Sequence, residues 1–319
     1  GEAPVVTASA PADAPRDGAA TRVERAALGL ALAAVVVLSI LGAYRASLVV
    51  EGTRYFWLDD DQMVSMRYAR HLAEGHGLVF NPGERVEGYS NFLWTLVMAA
   101  VHRLGAGDAR APLAVIALNT LLAMLVLPLA RRLVRQLVGD AAFESAALVL
   151  ILAACLDVVF WSVNGFEPTL LSVLFLVAVT EFLAGTDGGT PRYRALAAIA
   201  ALPLVRADGI HLWAAAVLLA AAVHGRSTRA AALLAATLAP FAAHLLWRHA
   251  YYGDWLPNTF YLKVAGIPGR LAGGLGYAAG FASAYGVVLL LALAGGVLAP
   301  DRRRTALLGG LGVVAIYVV

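Results

Sequence analysis

Apolar runs close to twenty residues long recur along the 319-residue chain, with short polar connections between them. A helix needs about 20 such residues to cross a hydrocarbon core. The pattern predicts spans over 26–50, 112–130, 143–162, 166–184, 194–206, 209–224, 229–248 and 276–299, with an incomplete one from 305. Two stretches interrupt this rhythm. Residues 1–22, rich in Ala, Pro, Gly and Asp and without periodicity, read as a disordered cytoplasmic tail, leaving 23–319 as the transmembrane domain. Residues 51–110 hold many charges, Gly-rich turns and only short apolar patches, so they are expected to form an outer loop. Within it, 62–74 puts Arg67, Arg70, His71 and Glu74 on one helical face and Ser65, Met66, Ala69, Leu72 and Ala73 on the other. That is the pattern of an amphipathic helix lying on a membrane surface. Gly75 and Gly77 end it, "NPGE" at 81–84 suits a type II turn, and Phe92–Leu104 makes a second amphipathic segment.

Composition supports the membrane reading: 61% of residues are hydrophobic and 14% charged, against about 45–50% and about 25% in soluble domains. The net charge of +3 does not point to nucleic acid, because the cations cluster in alternate connections: "RRLVR" at 131–135, "PRYR" at 191–194, "RSTR" at 226–229 and "DRRR" at 301–304. With the N-terminus inside, all four lie on the cytoplasmic side, as the positive-inside rule requires. The opposite connections carry Asp59–Asp61, Glu167, Asp208 and Asp254. The expected fold is therefore an all-α polytopic transmembrane helical bundle with two amphipathic surface helices in its first extracytoplasmic loop. The Ala- and Arg-heavy usage fits a GC-rich bacterium, and the expected location is its plasma membrane, with the N-terminus cytoplasmic. The lone Cys155 excludes an intrachain disulfide, and no P-loop, GxGxxG, HExxH or CxxC pattern occurs, which argues against nucleotide-driven pumping, zinc hydrolysis and dithiol chemistry. The chain opens on Gly and closes on "AIYVV" inside an apolar run, so it reads as a fragment truncated at the C-terminus.

The candidate chemistry starts at "LDDDQMVSMRYARH", residues 58–71. A carboxylate at a helix start caps backbone N–H groups and suits the helix dipole. One is enough for that. Three adjacent carboxylates at a low-dielectric boundary repel one another and raise their pKa values unless a cation compensates. Such a group suits either a general base or a divalent-metal site.

The block "DDQMVSMRYARHLAEGHGLVFNPGERVEGYSNFLW" resembles the first outer loop of the polytopic GT-C glycosyltransferases, with the arabinofuranosyltransferase branch and its bacterial relatives nearest in likeness. "NGFEPTLLSVLFL" at 164–176, "LVRADG" at 204–209 and "YYGDWLPNTFYLK" at 251–263 continue the likeness in order, over roughly residues 55–265. The resemblance implies a GT-C helical bundle and transfer of a sugar from a polyprenyl-phosphate donor to a cell-envelope glycan or lipid acceptor, with inversion. It implies a catalytic Asp where the first outer loop begins. Aligned on Arg67, that acidic pair falls on Asp60 and Asp61; Asp59 is additional, so the register is open by one residue. The usual Arg-Pro-Asp-Gly stands here as "RADG", which loosens the role of Arg206.

In this setting Asp60 is the first candidate base and Asp61 the second. Arg67, Arg70, Arg85, Arg206, Arg248, His249 and Lys263 are candidates to hold the donor phosphate, against the simpler reading of side chains snorkelling to headgroups. Glu167 either orients the acceptor, assists a metal or caps a helix. Glu84 and Glu87 either bind acceptor hydroxyls or are solvated loop charges. No cofactor is assigned; the lipid-linked sugar is a co-substrate, and a divalent metal stays open, with no ligands assigned. Asp157, inside an apolar run, keeps a second reading alive, a carrier or flippase for lipid-linked sugars.

Overall fold

The computed structural model describes residues 18–139, 142–187, 190–224, 227–264 and 270–298. A long helix, α1 (Gly18–Arg45), leads into a hairpin of β1 (Ser47–Val50) and β2 (Thr53–Phe56). Two helices of the polar loop follow, α2 (Asp60–Ala73) and α3 (Phe92–Arg103), and then the long α4 (Ala111–Val138). Next come α5 (Ala142–Ala154), α6 (Leu156–Val163) and α7 (Pro168–Leu183), and the two-residue strands β3 (Thr186–Asp187) and β4 (Thr190–Pro191). The described chain continues through α8 (Tyr193–Val205), α9 (Gly209–His224), α10 (Thr228–Ala236), α11 (Ala239–Tyr252), α12 (Asn258–Val264) and α13 (Arg270–Leu298).

Among the described residues, Gly18–Arg45, Ala111–Leu137 and Thr228–Tyr252 are long and apolar enough to cross a membrane. The pair 142–154 and 157–163, bent by 49°, makes a fourth if read as one broken span. This is the make-up of a helical membrane protein. The expected spans at 166–184, 194–206 and 209–224 are helices, but they are only 16, 13 and 16 residues long. Helix starts and stops follow backbone chemistry. Pro112, Pro168 and Pro240 sit in first turns, where no N–H is needed. Gly253 ends α11 in the left-handed region that a side chain resists.

The helices pack through small residues. Ala27, Ala31 and Val35 of α1 meet Ala123, Leu127, Ala146 and Val149 of α4 and α5, the close approach that dispersion-driven packing between apolar helices favours. A second core joins α7, α8 and α9 through Leu171, Ala178, Phe182, Ile199, Leu202 and Ala216. A third seats α2 and α3 on α4 through Met66, Ala69, Trp94, Met98, Val115 and Ile116.

Four expectations are corrected. The first helix begins at Gly18, inside the stretch read as a tail, and stops at Arg45 rather than running to 50. Residues 47–50 pair antiparallel with 53–56, so the chain is not strictly all-α. Both turn residues, Glu51 at φ 48° and Gly52 at φ 76°, have the positive φ of a tight hairpin turn, and "SLVV" and "TRYF" carry the β-branched and aromatic residues that strands favour. The expected span at 143–162 is broken into two helices after Ala154, whereas the one expected at 229–248 forms as the span Thr228–Tyr252 with only a turn after Ala236. His71 lies on the buried face of α2, its Nδ1 2.9 Å from the Val79 carbonyl. The segment from 305 lies outside the described residues. The loop turn forms as expected: Gly83 takes φ 91° and the Glu84 N–H donates to the Asn81 carbonyl at 3.1 Å.

Candidate active site

The start of α2 is held by backbone rather than by a carboxylate. The Asp59 carbonyl accepts from the Gln62 and Met63 N–H groups at 3.0 and 2.9 Å, while its side chain makes no capping bond. Asp60 Oδ1 accepts from the Asp61 N–H at 2.8 Å. Burial, and then the hydrogen bond and negative charge of Asp60, raise the Asp59 carboxyl above its ordinary pKa. The three-acid group therefore has one member pushed toward its protonated form, first by burial and then by its acidic neighbour Asp60.

Residues 60, 63, 64 and 67 fall on one helical stripe at three- and four-residue spacing, and that stripe faces a cavity of about 680 Å³. Asp60, Arg67, Arg70, His102 and Asp108 supply its polar lining; Trp57, Leu58, Met63, Val64, Met66, Phe80 and Pro112 supply the apolar part. Arg67 is braced: Nε donates to the Phe80 carbonyl at 2.8 Å, one terminal nitrogen donates to Asn81 Oδ1 at 3.1 Å, and the guanidinium lies 4.3 Å over the Phe80 ring. Arg70 pairs with Asp108 at 2.9 Å. His102, at the α3 end, has its pKa lowered by burial. Asp61 is exposed and is not among the residues lining this cavity.

Behind α2 lies a buried polar network centred on Glu167, which is 2% exposed. Its Oε2 accepts from Asn91 Nδ2 at 3.0 Å and Gln62 Nε2 at 3.2 Å, and its Oε1 accepts from Arg206 at 2.8 Å. Arg206 also reaches Asp208 at 2.9 Å. The "NGF" turn before Glu167 is tied by three successive carbonyls: Asn164 accepts from the Asp59 N–H, Gly165 from Trp94 Nε1, and Phe166 from Asn119 Nδ2. Gly165 takes φ 80°, and a Cβ there would sit 2.7 Å from the Leu58 side chain, so only glycine fits. The start of α2 and the start of α7 are thus one unit.

A second clamp joins the loop to α11. Arg248 Nε donates to Glu87 Oε1 at 3.1 Å and lies 2.9 Å from Oε2, with both residues buried. The Tyr252 hydroxyl donates to the Leu78 carbonyl at 2.7 Å and lies 3.2 Å from the Tyr89 hydroxyl. Burial pushes the Glu87 carboxyl up to about 7 despite the opposing pull of Arg248. The folded chain then binds one more proton than the unfolded chain between the ordinary 4.5 and about 7, so stability falls as pH rises through that window. The thermal midpoint of the purified protein is expected to drop between pH 5 and pH 7.5, by the equivalent of up to roughly 3 kcal/mol. In Glu87→Gln that part of the slope should vanish; identical pH profiles for parent and variant would remove the assignment.

The remaining predicted residues scatter. Glu84 accepts from Asn81 Nδ2 at 3.0 Å in an exposed turn. His249 is exposed and stacks on Trp255 at 4.3 Å. Lys263 lies in α12, with its side chain outside the described residues. Of the expected phosphate-binding cations, Arg67 and Arg70 line the cavity with Asp60, Arg85 lies 4.8 Å over the Tyr251 ring, and Arg206 and Arg248 are each engaged by a buried glutamate. Residue patterns did not single out Gln62, Asn91, Asn119, His102 or Asp108 as part of this arrangement. Among the described residues no group of three or more His, Cys, Asp or Glu is placed to hold a metal ion.

Comparison with curated proteins relates the chain to a terminal β-(1→2)-arabinofuranosyltransferase of Mycobacterium tuberculosis, 27% identical over 295 residues. The alignment covers 88% of this chain, which spans 45% of that relative's length. No protein-family model and no solved structure matches the chain. The likeness is to a glycosyltransferase, and the apolar helices agree with a membrane protein.

Proposed function

We propose that the protein is a membrane glycosyltransferase of the GT-C type that moves a sugar from a polyprenyl-phosphate donor to an extracytoplasmic glycan or lipid hydroxyl, with Asp60 as general base. The observation that carries this reading is the shared cavity: a carboxylate and two guanidinium groups on one helix stripe, beside a largely apolar wall. Transfer at a membrane boundary needs those three elements. Asp60 takes the proton of the acceptor hydroxyl as its oxygen attacks the anomeric carbon. The bond from that carbon to the phosphate oxygen breaks, and the departing lipid phosphate keeps the electron pair. Arg67 and Arg70 stabilise its charge, and the apolar wall of Trp57, Met63 and Phe80 meets the lipid or the sugar face. A single displacement inverts the anomeric centre. Glu167 and Arg206 act as positioning residues through Gln62 and Asn91, and the Glu87–Arg248 pair holds the loop on α11. The sugar is arabinofuranose by extension from the distant relative. The protein sits in a bacterial plasma membrane with its N-terminus cytoplasmic and this cavity outside.

The test is transfer itself. Membranes containing the full-length protein are given radiolabelled polyprenyl-phosphate sugars and cell-envelope acceptors, and label is expected in the acceptor. A second reading, the carrier, draws on one observation: Asp157 lies at the bend of the broken pair α5–α6 and accepts from the Tyr285 hydroxyl, and broken helices with polar groups are typical of transporters. Labelled lipid crossing sealed vesicles, with no acceptor labelled by any donor, would favour that reading over the enzyme.

A further inference from the structure

A second polar centre lies at the opposite end of the bundle, and it does not depend on the function proposed above. From Ala111, beside the polar loop, to Arg131 is twenty helical residues, or ~30 Å along α4. There Glu24 of α1, fully buried, receives two guanidinium groups from α4. Arg131 donates to it at 2.8 and 3.1 Å and Arg135 at 3.2 and 2.6 Å, each through Nε and one terminal nitrogen. On the next face Glu181 of α7, also buried, pairs with Arg132 at 2.9 Å and with Arg192 at 3.2 Å. Gln136 Nε2 donates to the Thr180 carbonyl at 3.0 Å. Arg131 and Arg135 share the single carboxylate of Glu24, which leaves positive charge in excess beside it.

A cavity of about 370 Å³ opens on this face of α4, lined by Pro128, Arg131, Arg132, Arg135 and Gln136. The positive-inside rule accounts for cations at one end of a bundle. It does not account for their arrangement. Free surface arginines spread to headgroups, whereas these are braced against buried acids on two neighbouring helices and remain partly exposed toward one groove: the side chains of Arg131, Arg132 and Arg135 are 26%, 44% and 38% exposed. Guanidinium groups held in place lose little freedom when they bind, and their planar forks match tetrahedral oxyanions.

We propose that this groove binds a phosphate ester, carried either by an anionic phospholipid headgroup or by a soluble phosphorylated compound. The test uses the purified full-length protein in detergent, with thermal unfolding followed against added phosphatidylglycerol, phosphatidylcholine or inorganic phosphate. Phosphatidylglycerol should raise the midpoint where phosphatidylcholine does not. Arg132→Gln leaves Glu181 paired with Arg192 and should weaken the response to phosphatidylglycerol about fivefold, as expected for one basic side chain at an anionic lipid surface; Arg132→Lys should restore most of it. Gln136→Lys adds a cation to the groove and should tighten the response by a similar factor, which keeps the proposal testable if Arg132→Gln folds poorly. A midpoint raised by inorganic phosphate, and lost in Arg132→Gln, upholds the site and gives it to a soluble ligand. Equal stabilisation by both lipids, or variants that respond as the parent does, would overturn it.

Discussion

Asp60→Asn is expected to lower sugar transfer by about 10²–10⁴-fold while leaving thermal unfolding where it was. The side chain is exposed at the first residue of α2 and lines the cavity, so its replacement creates no void. Asn keeps an oxygen able to accept the Asp61 N–H, as Asp60 Oδ1 does at 2.8 Å, and the helix start is preserved. What it loses is the capacity to accept a proton. The loss should therefore fall on kcat more than on KM, and the acidic limb of the pH–rate profile should disappear in whatever activity remains. Asp61→Asn serves as the paired control: its carboxyl lies outside the cavity lining, and a modest effect is expected. A dead Asp61→Asn beside an active Asp60→Asn would move the base by one residue, and full activity in both would end the assignment.

The largest effect on stability is expected from Glu167→Ala, a loss of about 3–5 kcal/mol, the usual result of removing one partner from a buried ion pair. Glu167 is 2% exposed, and its two oxygens gather Gln62 of α2, Asn91 just before α3 and Arg206 just after α8. Its loss orphans donors on three separate elements at once. Glu167→Gln should cost less, because its carbonyl can still accept from Asn91 or Gln62, yet Arg206 loses a charged partner. Denaturant titration of the purified protein measures both, and a shift below about 1 kcal/mol for the Ala variant would show that the network does not hold the fold. Transfer should decline with the same variants, since Gln62 and the Asp59–Asn164 contact set where the start of α2 sits.

The polar loop shows how far residue patterns carry and where they stop. Both loop helices, α2 and α3, were legible because an amphipathic stripe of 12–14 residues is a local signal. The stripe also brought Asp60 and Arg67 together, since seven residues make two turns. The β1–β2 hairpin escaped because "SLVV" continues an apolar run, and only pairing with "TRYF" turns it into a strand. His71 was misplaced for a related reason: its titratable ring suggested an outward face, but a carbonyl eight residues on, at Val79, gives it a buried partner. Arg206 and Arg248 read as cations waiting for a phosphate. Each is instead held by a glutamate, 39 and 161 residues away in the chain.

By itself, then, the order of residues determined the membrane character, most of the helices, the sign of charge on alternate connections and the acidic group beside Arg67. Each of these is a property of neighbours along the chain, expressed in a helical or apolar period. The tertiary structure decided which acid meets which base: Glu167 with Arg206, Glu87 with Arg248, and Glu24 with Arg131 and Arg135. Those choices depend on contacts between distant segments. A buried charge is tolerated only where a partner arrives through space, and periodicity along one segment carries no record of what lies across from it.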